Sequence, residues 1–176
     1  MKISQIMRSL AVLVCVAALP ESPARAQSET DPDHFESPNV QAQKKMPVAA
    51  SLIAAWNSHD AEKVVAIFTT DVLYEDVALG AVNHGSAELR KFAASVFEAV
   101  PDAKFELVNS SVDRGHGNIE WIFSGTDHGL YKTGKRFSVR DVSVIDLHGG
   151  KISRDVDYWN AAFIMRQVGR LTESAK

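Results

Sequence analysis

The sequence predicts an α+β roll: three helices set against a curved, mainly antiparallel sheet, with a short helix closing the chain. Three observations predict it. Apolar residues recur at helical spacing through residues 48–100 and at a spacing of two from Phe105 onward. The change of period falls at Pro101, a residue that ends helices. Residues 136–169 then read as strand, tight turn, strand and helix around His148-Gly149-Gly150-Lys151, because a Gly-Gly pair takes the positive φ values that a two-residue hairpin demands.

The first 26 residues read as a targeting segment. Lys2 and Arg8 precede an apolar run at 10–19, and Ala24-Arg25-Ala26 supplies the small residues of a signal-peptidase site. Export to the periplasm or the medium, with cleavage after Ala26, is the expectation. The apolar run is too short for a bilayer anchor. Cys15 is the single cysteine and leaves with the run, so no disulfide or thiolate chemistry is expected in the exported part. Residues 27–45, rich in Pro, Ser, Asp, Glu and Gln, read as a disordered leader. The domain is expected at 46–170, with 171–176 as a tail. The chain has 19 basic and 22 acidic residues; without Lys2, Arg8, Arg25 and Glu21 the counts are 16 and 21, a net charge of −5. Such a balance argues against nucleic acid or an anionic membrane as partner.

Pro47 suits the first position of a helix whose Val48, Leu52, Ala55 and Trp56 share one face. Asn57-Ser58-His59-Asp60 interrupts it, and Asp60 is placed to cap a short second helix. Thr69-Thr70-Asp71 reads as a turn into a short strand at 72–76, followed by a loop at 80–85. Ser86 is expected to cap a third helix buried through Leu89, Phe92, Ala93, Val96 and Val100. Strands follow around Phe105 to Val112 and at 119–126, joined through Gly115 and Gly117. Asn160 caps the last helix and Gly169 ends it in the left-handed conformation.

With Gly149 and Gly150 as the turn, an unbroken ladder pairs Leu147 with Ile152, Val144 with Asp155, Val142 with Asp157 and Arg140 with Trp159. One face then carries Phe137, Val139, Ile145, Leu147, Ile152, Val156 and Tyr158, interrupted by Asp141, Ser143 and Arg154. The other gathers Arg140, Val142, Val144, Asp155, Asp157 and Trp159, and is the expected ligand face. Two carboxylates in a partly apolar cavity point to acid/base work. If Arg140 pairs with Asp157, the same cluster is instead a structural ion pair. The apolar face is too extensive to leave exposed and predicts a homodimer through the sheet.

W-N-S-H-D-A-E-K-V-V-A-I-F-T-T-D-V-L-Y-E-D from Trp56, H-G-S-A-E-L-R-K-F from His84, F-S-G-T-D-H-G, T-G-K-R-F-S-V, G-G-K-I and D-Y-W-N…M-R-Q-V-G together resemble the SnoaL-like branch of the nuclear transport factor 2-like superfamily. The resemblance covers nearly all of residues 46–170. It implies a cone-shaped α+β fold with a deep pocket, commonly a homodimer through the convex face of the sheet. The superfamily holds polyketide cyclases, steroid isomerases, epoxide hydrolases and non-catalytic binding modules, so fold alone leaves function open.

The likeness to ketosteroid isomerases lays their general base on Asp76. Their oxyanion-hole tyrosine falls near Ser51, and their protonated aspartate falls on Val142, or on Asp141 if the turn differs by one residue. The epoxide-hydrolase Arg-x-Asp is absent from residues 119–123. The likeness to polyketide cyclases makes Asp157 the acid/base candidate, with Asn160 where many relatives have a further aspartate.

Asp157 and Asp76 are therefore the catalytic candidates, and Trp56, Tyr74, His84, Arg140, Asp155 and Trp159 the ligand-binding ones. No cofactor is expected. The scattered His59, His84, His116, His128 and His148 give no metal-ligand spacing. The leading expectation is an exported module that binds a small hydrophobic or carbonyl-containing molecule; the alternative is a cofactor-independent cyclase or isomerase using a pocket aspartate.

Overall fold

The computed structural model describes residues 47–171. The expected signal peptide 1–26, the leader 27–45 and all but the first residue of the tail lie outside the described residues. The elements run α1 (Pro47–Asn57), α2 (Ala61–Ala66), β1 (Phe68–Asp76), β2 (Ala81–His84), α3 (Gly85–Ala99), β3 (Lys104–Asp113), β4 (His116–Thr126), β5 (Arg136–His148), β6 (Lys151–Trp159) and α4 (Ala161–Gln167). Six strands form one open sheet in the order β2-β1-β6-β5-β4-β3. The sheet is mixed: β1 runs parallel to β6, and every other neighbouring pair is antiparallel.

Local chemistry accounts for most of the boundaries. The Asp60 carboxylate accepts from the Glu62 N–H at 2.9 Å and caps α2, and Asn160 caps α4 by accepting from the Phe163 N–H at 3.0 Å. Gly149 and Gly150 take φ values of 58° and 79°, which the β5–β6 hairpin requires. Three expectations are corrected. Thr69-Thr70-Asp71 makes no turn, because those residues run extended within β1. The stretch at 80–85 is not all loop, because residues 81–84 pair with β1 as β2. Helix α3 begins at Gly85, whose φ of +72° belongs to glycine, and no Ser86 cap forms. Two strands thus separate α2 from α3.

The register of the last hairpin also differs from expectation. Leu147 pairs with Ile152 as foreseen, but Asp146 then pairs with Arg154, leaving Ser153 as an extra residue. Beyond that bulge every pairing moves by one: Asp157 faces Ser143 rather than Val142, and Trp159 faces Asp141 rather than Arg140. A one-residue shift carries side chains to the opposite face. Phe137, Val139 and Ile145 therefore enter the core, and Asp141 and Ser143 enter with them, all buried. Arg140 and Val144 point to the other face and are exposed. The apolar face expected outside is thereby broken up, and Val144 and Tyr158, 39% and 50% exposed, are what it presents to solvent.

The core lies between the inner face of the sheet and the helices. Leu52 and Trp56 from α1, Leu89 and Ala93 from α3, and Ile164 from α4 are buried against Phe105, Ile119, Phe137 and Ile145. Asp127, fully buried, accepts from the Tyr131 and Thr133 N–H groups at 2.8 and 2.9 Å. It closes residues 127–134 into a compact loop that presents Leu130 to the interior.

Candidate active site

A cavity opens where β1, β5 and β6 face α1 and α3. The strands supply the polar groups: Tyr74 and Asp76 from β1, Asp141 from β5, Asp157 and Trp159 from β6. The opposite wall is apolar, with Trp56 from α1, Phe92 and Val96 from α3 and Val100 just beyond it. That wall explains why Phe92 and Val96 are only partly buried although they sit on the inner stripe of α3. Phe105, Trp121 and Phe123 close the far end, with ring centroids 5.0–6.5 Å apart. Leu79 and Leu130 come from the two loops, and Leu79, 44% exposed, stands at the mouth. The cavity offers about 40 Å³ to the centres of water molecules, and since one water needs roughly 10–15 Å³ by that measure, it has room for about three.

Four aspartates converge here in different states. Asp157 is 3% exposed, and both its oxygens are engaged: the Tyr74 hydroxyl donates to Oδ2 at 2.5 Å and the Ser143 hydroxyl to Oδ1 at 2.5 Å. Trp121 Nε1–H in turn donates to Ser143 Oγ at 3.0 Å. Burial pushes the Asp157 carboxyl up to about 6, against the pull of the two hydroxyls. Asp155 is 1% exposed; burial, and then the charge of Asp157, holds its carboxyl well above the usual range. Burial and the same two aspartates also raise the Tyr74 phenol well above its ordinary value.

Asp76 accepts from Trp159 Nε1–H at 3.1 Å on each oxygen and from the Leu79 N–H at 2.9 Å. Burial raises its carboxyl, while these N–H groups favour the ionised form. Asp141 is 2% exposed, and its Oδ1 has no hydrogen-bond partner. Burial, then the charges of Asp157 and Asp76, push it up to about 9. The wall thus combines a carboxylate held by N–H donors with a carboxyl that keeps its proton at neutral pH, the separation on which acid–base sites are built.

Of the residues singled out from sequence, Asp157, Asp76, Trp56, Tyr74 and Trp159 line the cavity. Asp155 is buried beside Asp157. Arg140 is not in the cavity: the register shift sends it outward, where its Nη1–H donates to Glu120 Oε1 at 2.6 Å, so it forms no ion pair with Asp157. His84 is exposed ahead of α3 and does not line the cavity either. Ser51 is exposed on α1, and Val142 points away from the site. Asp141, Ser143 and Trp121 were not among the expected site residues. Asp141 is the position that the likeness to isomerases reached only if the turn differed by one residue; here it lies on the inner face of β5 opposite Trp159.

Residues 49–155 match the family model of the SnoaL-like domain, about three-fifths of the chain. The chain belongs to the SnoaL-like domain family. Its relatives include the cyclase aurE of Calcarisporium arbuscula, 30% identical over 100 residues, which cover 56% of this chain and 74% of that protein. A ketosteroid isomerase-like fold protein from Catenulispora acidiphila DSM 44928, crystallised in complex with trimethylamine, superposes with a TM-score of 0.65 at 21% identity, over 70% of this chain and 92% of that one. A protein from Jannaschia sp. CCS1 classed with the SnoaL-like polyketide cyclases does so with a TM-score of 0.62 at 14% identity, over 74% and 99%. At these identities the structural likeness is one of fold. This SnoaL-like chain is thus related to the cyclase aurE and has the nuclear transport factor 2-like α+β fold.

Proposed function

We propose that this SnoaL-like protein catalyses a cofactor-independent proton transfer on a small carbonyl compound held in the cavity, as cyclases and isomerases do. The observation that carries the reading is Asp141: a buried carboxyl that keeps its proton, has an unpartnered oxygen, and lies on the same wall as Asp76. In this assignment Asp76 removes a proton from the carbon next to the carbonyl, and Asp141 donates a hydrogen bond to the oxygen as negative charge develops there. Asp157, with both oxygens engaged, orients Tyr74 and Ser143 rather than reacting. The apolar wall excludes water and strengthens both interactions.

A screen of small carbonyl compounds for binding and turnover tests this, with wild type, Asp76→Asn and Asp141→Asn compared. Each substitution is expected to lower kcat by about a hundredfold or more with binding largely kept. Compounds that bind but are not converted, with both variants changing affinity alone, would leave a carrier or sequestering module and end the catalytic reading. Export belongs to the same proposal: the exported protein is expected to begin at Gln27, and an intact mass that retains Met1 would contradict it.

A further inference from the structure

The cavity wall is one-sided in charge. Among the described residues, every titratable side chain that reaches it is an acid: Asp76 and Tyr74 from β1, Asp141 from β5 and Asp157 from β6, with Asp155 directly behind. The faces supplied by α1, α3, β3 and β4 carry no charge. The one cation that the sequence placed nearby, Arg140, is on the outer face with Glu120. Asp76 is held as an acceptor by N–H donors and Asp157 by two hydroxyls. Among the described residues, these two buried carboxyls thus have no positive group beside them in the cavity lining. An uncompensated buried charge is costly, and Asp141 meets that cost by keeping its proton. Asp141 Oδ1 is a buried polar atom with no partner, on a side chain that lines the cavity. Among the described residues the acids form no cluster suited to a metal ion.

The opposite wall supplies what an organic cation prefers. Trp56, Phe105 and Trp121 stand in series with centroids 5.3 and 5.4 Å apart, and π-faces attract an ammonium group, the more so where water is excluded. Size agrees as well. Room for about three waters, at a share of roughly 30 Å³ each, is roughly 90 Å³, the bulk of a group of four or five heavy atoms.

We infer that the cavity selects ligands bearing a small ammonium group, of about trimethylammonium size, with the indole and phenyl faces around it and Asp76 and Asp157 as its counter-charges. This rests on the ligand-binding part of the function proposed above and not on turnover.

Three probes of similar shape and different charge test it: tetramethylammonium, tert-butanol and pivalate, titrated into the full protein by NMR or calorimetry. Tetramethylammonium is expected to bind at least tenfold more tightly than tert-butanol at pH 7.5, and pivalate not to saturate. Because the probe's charge is permanent, its affinity reports the protein's acids, and it should fall about tenfold between pH 7.5 and 5 as Asp157 takes up its proton. Asp157→Asn should remove most of the preference; should that variant fail to fold, the pH series on wild type carries the same information. Equal binding of tert-butanol, binding of pivalate, or an affinity for tetramethylammonium that ignores pH would overturn the inference. Turnover of neutral carbonyl compounds without any cation preference would sink it while sparing the acid–base reading, and cation binding without turnover would do the reverse.

Discussion

Replacing Asp141 by asparagine keeps the shape of the side chain and removes its titration, and the change should stabilise the protein as the pH rises. In the folded chain this carboxyl is pushed up from its ordinary value of 3.8 to about 9 by burial and by the charges of Asp157 and Asp76. In the unfolded chain it ionises near the ordinary value. Between those limits the folded state holds a proton that the unfolded state has released, so stability is complete below about pH 4 and is lost steadily as the pH climbs toward 9. The slope is about 1.4 kcal/mol per pH unit, so the loss across the three units from pH 5 to 8 is about 4 kcal/mol. That is a large share of the 5–15 kcal/mol by which domains are usually stable. Asparagine has no such slope. Urea unfolding of both chains at pH 5 and pH 8 should show the free-energy difference moving in favour of the variant by up to about 4 kcal/mol, while the contribution of Asp157 largely cancels between them. A difference that stays flat with pH, or a variant that loses ground as the pH rises, would refute the reasoning. A substitution that stabilises while it removes turnover is what a residue retained for chemistry should give.

Tyr74→Phe removes the hydroxyl that donates to Asp157 Oδ2 at 2.5 Å; urea unfolding at pH 7 should register a loss of about 1–3 kcal/mol, with the Asp157 titration followed by NMR moving upward. Gly85→Ala forces a side chain into φ +72° with a Cβ 3.1 Å from the Thr70 carbonyl oxygen, so its thermal midpoint should drop by an amount matching about 1–2 kcal/mol; an unchanged midpoint would mean that α3 does not start there. With the apolar face broken up, the homodimer expected from it rests on Val144 and Tyr158, exposed on the outer face of β5 and β6; light scattering at micromolar concentration checks it, and a monomer mass would exclude it.

Much of this protein is decided within short stretches of its chain. The caps at Asp60 and Asn160, the Gly149-Gly150 turn, the stripe on α3 and the change of period after Pro101 depend on residues a few positions apart, and each was legible because its physics is local. Where the structure departs from the local pattern, strand pairing is the cause, with a distant strand for β1 and with a neighbouring one for β2 and β6. Nothing in residues 68–84 announces that β1 will lie parallel to β6, a pairing of segments some 80 residues apart, whereas residues 81–84 add an outer strand through a tight hairpin in which Asp76 pairs with Ala81.

The site turned on one residue. Alternation along β5 correctly separates its two faces, but on β6 it breaks at Ser153, in a run with no glycine to mark it, so that Ile152 shares the inner face with Asp155 and Asp157. That single extra residue moves Arg140 out to Glu120 and brings Asp141 in beside Asp76 and Asp157. The local pattern could propose that aspartates face a pocket. Their differing proton affinities belong to the assembled wall alone, because burial and mutual repulsion exist only once three strands and two helices have closed around them.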